Sequence, residues 1–478
     1  MTRLRLLLAL SLLAAVAPAV AVLAVGTDAF KMPATLHFGM VSAIAAITSV
    51  SSLALSIAGA RARDGRTLLM GMAFSTMTAL FAIHALATPG FIVGPNGVIA
   101  LAGGLSVPSG ALLLSLTALP SLRRPGSVQG LVIAQGVLFS AILLLGLIGL
   151  ANAEIVPAVP LPKSGPAIGL LVAGLVFLGQ LIVRAVRTYL LTRRFADLTV
   201  AIGCAWLATT LVANLWIGSM TVGYYIGHII EICAVLLVSV PAALDIKRAG
   251  ASRPLVGDLT ATELVASEEA YLGPRVRALM ARLEDRDVST EEHTRRVALW
   301  AARVGEELKL PATARRHLAV GGMLHDIGKL SVPLEILNKP GKLTDEEFAA
   351  IKRHPGDGRK LLEELGGFPE AVRALVSDHH ERLDGSGYPR GLNADELPIE
   401  TRILAVCDVY DALVSDRVYR AAWTPERAFS LLEEEAHAYD RTVVAALKRV
   451  VGLDARFVTD FAAAPVPAPR VGRTLPRG

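Results

Sequence analysis

Eight apolar stretches, each long enough to cross a bilayer, crowd the first 246 positions and constrain this chain more than any other feature. A helix needs about 20 apolar residues to span the hydrocarbon core. Inside lipid only structures that satisfy their own backbone hydrogen bonds persist, so each stretch is read as a helix. The segments are 4–26, 34–60, 67–89, 97–119, 128–151, 166–187, 197–217 and 222–246. They account for a composition that is 53% hydrophobic and only 19% charged, too apolar for an ordinary soluble chain. The intervening loops alternate in charge. Arg3 and Arg5, then Arg61, Arg63 and Arg66, then Arg123 and Arg124, then Arg187, Arg193 and Arg194, and finally Lys247 and Arg248 fall on one side. The other side holds Lys31 and Lys163. Basic residues gather on the cytoplasmic face, so both termini are expected there. The first span shares the basic start and small residues of a cleaved signal peptide, but its apolar run is long for one. The basic excess belongs to these loops. Residues 1–250 hold fifteen Lys/Arg against six Asp/Glu, whereas the rest is slightly acidic, so no nucleic-acid polymer is implied as a partner.

Three histidines fall in this half. His37 begins the second span, His84 ends the third, and His228 opens the eighth with Glu231 one turn further on. The ordinary reading is that each is satisfied near the interface by backbone or water. The alternative is a shared sensory site for a metal, a haem or a proton, because ionisable groups at membrane depth are costly and often functional.

Beyond Lys247 the hydropathy drops. Residues 247–285 read as a polar linker, broken by Pro254 and Gly257, followed by a helical pattern running to about Leu283. That helix either packs onto the next domain or serves as a dimeric signalling helix, the one place where a homodimer is suggested. Residues 286–452 are helical throughout. Ser289-x-x-Glu292 and Thr344-x-x-Glu347 have the pattern of capping boxes, Pro311 and Pro425 open further helices, and 370–381 and a segment from about 398 complete the pattern. Strand signals are absent, so the expected class is all-α: a multi-span helical membrane domain followed by a cytosolic helical domain. Residues 453–478, rich in Ala, Pro and Arg, read as a disordered tail.

Seven of the ten histidines lie in this second half, and five stand beside carboxylates or glycines: His293, His325, His354, His379 and His380, with Asp326 and Asp408. Cys204, Cys233 and Cys407 have no metal-binding spacing. Imidazole and carboxylate without thiolate suit Fe, Mn or catalytic Zn rather than a structural zinc cluster. Adjacent histidines on a helix point about 100° apart, which suits two neighbouring ions, and a carboxylate such as Asp326 can bridge them. Two ions ~3.5–4 Å apart acidify a water and hold both oxygens of a phosphoryl displacement. His317 and His437 are read as ordinary core or surface residues.

The strings His325-Asp326-Ile-Gly-Lys329, His379-His380-Glu-Arg-Leu-Asp-Gly385-Ser-Gly387-Tyr388-Pro389 and Asp408-Val-Tyr-Asp411, with Asp416-Arg417-Val-Tyr419-Arg420, closely resemble the HD-GYP phosphodiesterases. Asp287-Val-Ser-Thr-Glu-Glu-His293 and His354-Pro-Gly-Asp-Gly extend the resemblance over 286–452. It implies a bacterial inner-membrane enzyme that hydrolyses cyclic di-GMP to pGpG or GMP with a hydroxide activated by two divalent ions, Fe or Mn favoured. By the same resemblance His293, His325, Asp326, His354, His379, His380 and Asp408 are metal ligands, with Asp326 and Lys329 catalytic. Lys329, Arg417 and Arg420 would hold phosphates, and Gly385, Gly387 and Tyr388 would shape the guanine cleft. Two departures stand out: Ser289 where some members carry a third-metal Glu, and Val418 where the family usually has proline. Alternative readings are an HD-type phosphohydrolase acting on another cyclic dinucleotide or nucleotide, and a non-catalytic receptor.

Overall fold

The computed structural model describes residues 2–119, 122, 127–249, 259–287, 290–416 and 421–453. The chain divides into two compact units, Met1–Leu259 and Thr260–Gly478.

The first unit contains α1 (Thr2–Val25), α2 (Ala34–Ala62), α3 (Gly65–Leu86), α4 (Val98–Ser115), α5 (Ser127–Ala151), α6 (Gly165–Thr192), α7 (Phe195–Val212) and α8 (Val222–Ala249). All eight are long and apolar enough to cross a membrane by length and composition. α2 and α3 form a hairpin through the link Arg63-Asp64, in which Arg63 adopts a left-handed φ of 52° and the Asp64 carboxylate caps α3 at Arg66 N. α3 is the axis of the unit: 83% of its apolar window is buried, against 6% for α1 and none for α5. Phe74, Phe81, Leu114, Leu178, Leu211 and Val238 form the core around it. Leu12, Leu13, Val20, Ile133, Leu144 and Leu145 on α1 and α5 are exposed. Exposed apolar side chains in this number are compatible with a membrane protein. α7 ends in a π-helical turn, Ala213–Ile217, which Gly218 terminates at a φ of 96°.

The second unit is also helical: α9 (Ala261–Tyr271), α10 (Pro274–Glu284), α11 (Thr290–Glu307), α12 (Ala312–Leu324), α13 (Leu334–Leu337), α14 (Asp345–Lys352), α15 (His354–Leu365), α16 (Glu370–Asp378), α17 (Ile399–Val414), α18 (Pro425–Glu434) and α19 (Arg441–Leu453). Among the described residues the only β pairings are isolated bridges. Val297, Leu318, Leu375, Leu404, Tyr410 and Leu447 make a core shared by α11, α12, α16, α17 and α19. The helical stretch expected to reach Leu283 is two helices. It breaks at Gly273, and Pro274 starts α10 at a position where the missing N–H costs nothing. α9 packs on α11 and α12, with Leu264 and Val265 buried and Arg316 Nε 3.0 Å from Glu268 Oε2. The Thr344–Glu347 capping box is present, and a second one, Thr260–Glu263, opens α9. Ser289 and the tail from 454 onward lie outside the described residues.

Candidate metal centre

Helix ends build the site. α11 supplies His293 from its first turn, and α12 ends at His325, so that Asp326 enters a tight 3-10 turn, Ile327–Ser331. α15 begins at His354, α16 stops at Asp378 just before His379 and His380, and α17 presents Asp408. The expected helix over 370–381 is therefore shorter, and the paired histidines sit in the turn that follows it. All seven groups are buried except His380, which is partly open.

The ring nitrogens are oriented from behind. Nδ1 of His325, His354 and His379 each faces a backbone carbonyl three residues earlier, Gly322 at 2.8 Å, Ile351 at 2.8 Å and Val376 at 2.9 Å. Nδ1 of His293 faces Asp411 Oδ2 at 2.8 Å, and Arg296 Nε holds the other oxygen of Asp411 at 2.8 Å. An Nδ1–H engaged in this way leaves Nε2 as the electron-pair donor. These Nε2 atoms turn inward. That of His325 is buried without a hydrogen-bond partner, and those of His354 and His379 are 3.2 Å apart. Two imidazole lone pairs brought so close need a cation or a proton between them.

Asp326 divides the cluster. Its Oδ2 lies 3.4 Å from His325 Nε2 and 3.9 Å from His293 Nε2, whereas its Oδ1 lies 3.4 Å from His354 Nε2. Ligand-competent groups gather on each side: His293, His325 and Asp408 on one, His354, His379 and His380 on the other, with His325, Asp326 and His379 as a third overlapping set. Asp408 reaches both, with Oδ1 3.2 Å from His293 Nε2 and Oδ2 3.7 Å from His380 Nδ1.

The electrostatics favour the metal-binding forms of His379, His380, Asp326 and Asp408. Burial, then the neighbouring histidines, hold His379 well below the usual imidazole range, and burial brings His380 down to about 3. Burial alone would raise Asp326 and Asp408, but Lys329, His325 and His354 keep Asp326, and His293 and His325 keep Asp408, well below the carboxylate norm. Against burial, hydrogen bonds to Asp408 and Asp411 push His293 up to about 9. Neutral His379 and His380, ionised Asp326 and Asp408 and the orphaned His325 Nε2 fit divalent cations. His293, held as an imidazolium between two carboxylates, must release its Nε2 proton to ligate one.

Lys329 Nζ sits 2.8 Å from Asp326 Oδ2 and 3.7 Å from Asp287 Oδ2, with part of its side chain open to solvent. The Tyr388 ring lies beside His380, centroids 4.7 Å apart. Gly385 takes a left-handed φ of 77°. A Cβ on Gly387 would stand 2.4 Å from Glu381 Cα, so the loop can lie this close only with glycine there. The buried Glu381 carboxylate closes the loop by accepting from Arg390 N at 2.7 Å and Leu392 N at 3.0 Å. Arg417, Val418 and Arg420 lie outside the described residues. Sequence reasoning did not assign Asp411, Arg296 or Glu381. Asp411 carried one signal, its position one turn from Asp408 on the same helix.

Comparison with known proteins agrees with this geometry. Residues 277–443 match the HD domain family. A cyclic di-GMP phosphodiesterase of Pseudomonas aeruginosa is 40% identical over 184 residues, which cover 38% of this chain and 44% of that protein. The 3'3'-cGAMP-specific phosphodiesterase 3 of Vibrio cholerae is 38% identical over 187 residues, 39% of this chain and 40% of that protein. A cyclic di-GMP phosphodiesterase response regulator of Xanthomonas campestris is 41% identical over 181 residues, 37% of this chain and 48% of that protein. The chain thus spans less than half the length of these curated relatives. The segment that matches the HD domain family, residues 277–443, carries all seven clustered side chains.

Proposed function

We propose that this chain is a metal-dependent phosphodiesterase that hydrolyses cyclic di-GMP. Residues 1–246 hold it in a bacterial cytoplasmic membrane and regulate it, 247–285 connect the halves, and 286–452 work in the cytoplasm. The observation that carries the reading is the division of five imidazoles and Asp408 about the two oxygens of Asp326. A carboxylate so flanked suits divalent ions, Fe or Mn, of which His293, His325 and Asp408 would hold one and His354, His379 and His380 another, with Asp326 available to each. Bound there, such ions supply Lewis-acid charge for a phosphoryl oxygen and an acidified water.

The chain's own groups do the rest. The Lys329 ammonium, raised by Asp326 and Asp287 despite burial, stays charged and faces the phosphodiester as a fixed cation. Asp411 and Arg296 fix the His293 ring, so that its Nε2 points inward without rearrangement. Tyr388 offers a flat apolar wall beside His380 for a guanine base, and Gly385 and Gly387 let the backbone approach it. Arg417 and Arg420 complete the phosphate contacts on this reading. The loop charges described above support the orientation, and a homodimer through 247–285 is part of the proposal.

The test is turnover by the full chain in detergent, loaded anaerobically with Mn(II) or Fe(II), with products separated by chromatography. Release of pGpG or GMP, abolished together with retention of the HD-site metal by His325→Ala and Asp326→Ala, is expected. Absence of hydrolysis by metal-replete protein would sink the reading. The similarity to a cGAMP-specific enzyme favours one runner-up, a mixed guanine–adenine cyclic dinucleotide as substrate, and a panel of cyclic dinucleotides decides between them.

A further inference from the structure

A second histidine cluster lies far along the chain from the first, inside the apolar unit. His37 in the first turn of α2, His84 near the end of α3 and His228 in the second turn of α8 are brought to one end of the bundle. They can present ring nitrogens within 4.8 Å of one another. The three side chains are 7%, 3% and 2% exposed, and Glu231, one turn after His228, is fully buried. Each Nδ1 is already engaged. His84 Nδ1 faces the Ile99 carbonyl at 2.8 Å, and His37 Nδ1 faces Thr88 Oγ1 at 3.3 Å, whose hydroxyl can donate onward to the His84 carbonyl. His228 Nδ1 faces Glu231 Oε2 at 3.3 Å.

The Nε2 atoms are then the free donors. Those of His37 and His228 are buried with no hydrogen-bond partner, as is Glu231 Oε1, and His84 Nε2 has only the Tyr224 hydroxyl, at 3.4 Å. A histidine backed by a carboxylate, a carbonyl or a hydroxyl is the arrangement that orients metal ligands. Three buried imidazoles and a buried carboxylate with unsatisfied atoms are otherwise expensive in an apolar bundle. The ring centroids lie 5.4, 5.6 and 6.0 Å apart, so the three rings converge on one small space.

We propose that His37, His84 and His228, backed by Thr88, Ile99 and Glu231, form a second metal site that holds one divalent first-row transition ion through Nε2. Imidazole-rich sites suit Zn, Cu, Fe and Ni, and three histidines leave one position open on a tetrahedral ion, beside Tyr224. The ion's charge answers the Glu231 carboxylate, and its coordination ties α2, α3 and α8 together at one point.

The full chain in detergent tests this once the HD site is disabled by His325→Ala with Asp326→Ala, the pair expected to strip that site of metal. After Zn(II) loading and dialysis, one zinc per chain should remain by elemental analysis. With Co(II) instead, visible d–d absorption of low-symmetry cobalt should appear. Adding His84→Gln and His228→Gln should remove both signals at unchanged elution volume and helical circular dichroism. Glu231→Gln should weaken zinc binding about 10- to 100-fold. In the chain with an intact HD site, the His84→Gln/His228→Gln pair should lower the zinc count by one, an arm that does not depend on how the HD-disabled protein behaves. Zinc counts unaltered by that pair would overturn the proposal, as would an HD-disabled chain of native size and helicity that retains no metal. Hydrolytic activity enters none of these readouts, so their failure is separable from failure of the phosphodiesterase reading.

Discussion

Asp326 has three neighbours with different claims on it: the Lys329 ammonium, the His293–His325 side and the His354 side. Removing Lys329 leaves the ligand set whole, so Lys329→Ala should keep its metal while losing about 10²- to 10³-fold in kcat, the range for one preorganised electrostatic donor. Elemental analysis alongside turnover separates the two effects. Asp411 acts one layer further out, through His293. Asp411→Asn keeps the shape but loses the charge, and should lower metal affinity about 10- to 100-fold, with activity recovered by excess metal. If metal affinity is unmoved, Asp411 serves Arg296 alone. Because one carboxylate serves both sides, the first ion bound should fix Asp326 for the second. Native mass spectrometry of the His84→Gln/His228→Gln chain at limiting metal should then find chains with two ions or none in excess of chains with one.

At the scale of helices, α9 owes its position to three features: its capping box, the buried Leu264 and the Glu268–Arg316 pair. Leu264→Ala should destabilise the second unit by about 2–5 kcal/mol, and Thr260→Ala by about 1 kcal/mol, both read as a lowered denaturation midpoint. Helix positions were legible in the sequence wherever a local signal existed. Apolar runs located α1 to α8, Thr344 and Glu347 opened α14, Pro311 preceded α12 and Pro425 opened α18. The break at Gly273 was missed because the apolar spacing of Val276, Met280 and Leu283 continues the phase of the preceding turn. The π turn at Ala213–Ile217 leaves no local mark at all. The ligand residues were legible because each stands in a distinctive string. Their partners were not: Asp411 meets Arg296 across 115 positions, and the convergence of His37, His84 and His228 depends on how three helices pack.

For the molecule as a whole, the division at Leu259 predicts that residues 260–478 alone are soluble, helical by circular dichroism and able to retain metal. A fragment that aggregates, or that is helical but metal-free, would mean that the soluble half needs the apolar one to form its site. The apolar half presents α1 and α5 almost bare, so it should require detergent or lipid throughout purification, and its removal should abolish that need. α8 runs without interruption from Val222 to Ala249, 28 residues or about 42 Å at 1.5 Å per residue. His228 and Glu231 are near its start, and its last turn is where the chain departs the bundle. Pro241, ten residues beyond Glu231, removes one rung of this rod's backbone ladder and gives it a place to pivot. A repositioning of Glu231, by whatever occupies the three imidazoles, would then reach the point where the polypeptide leaves the greasy half as a swing about that proline.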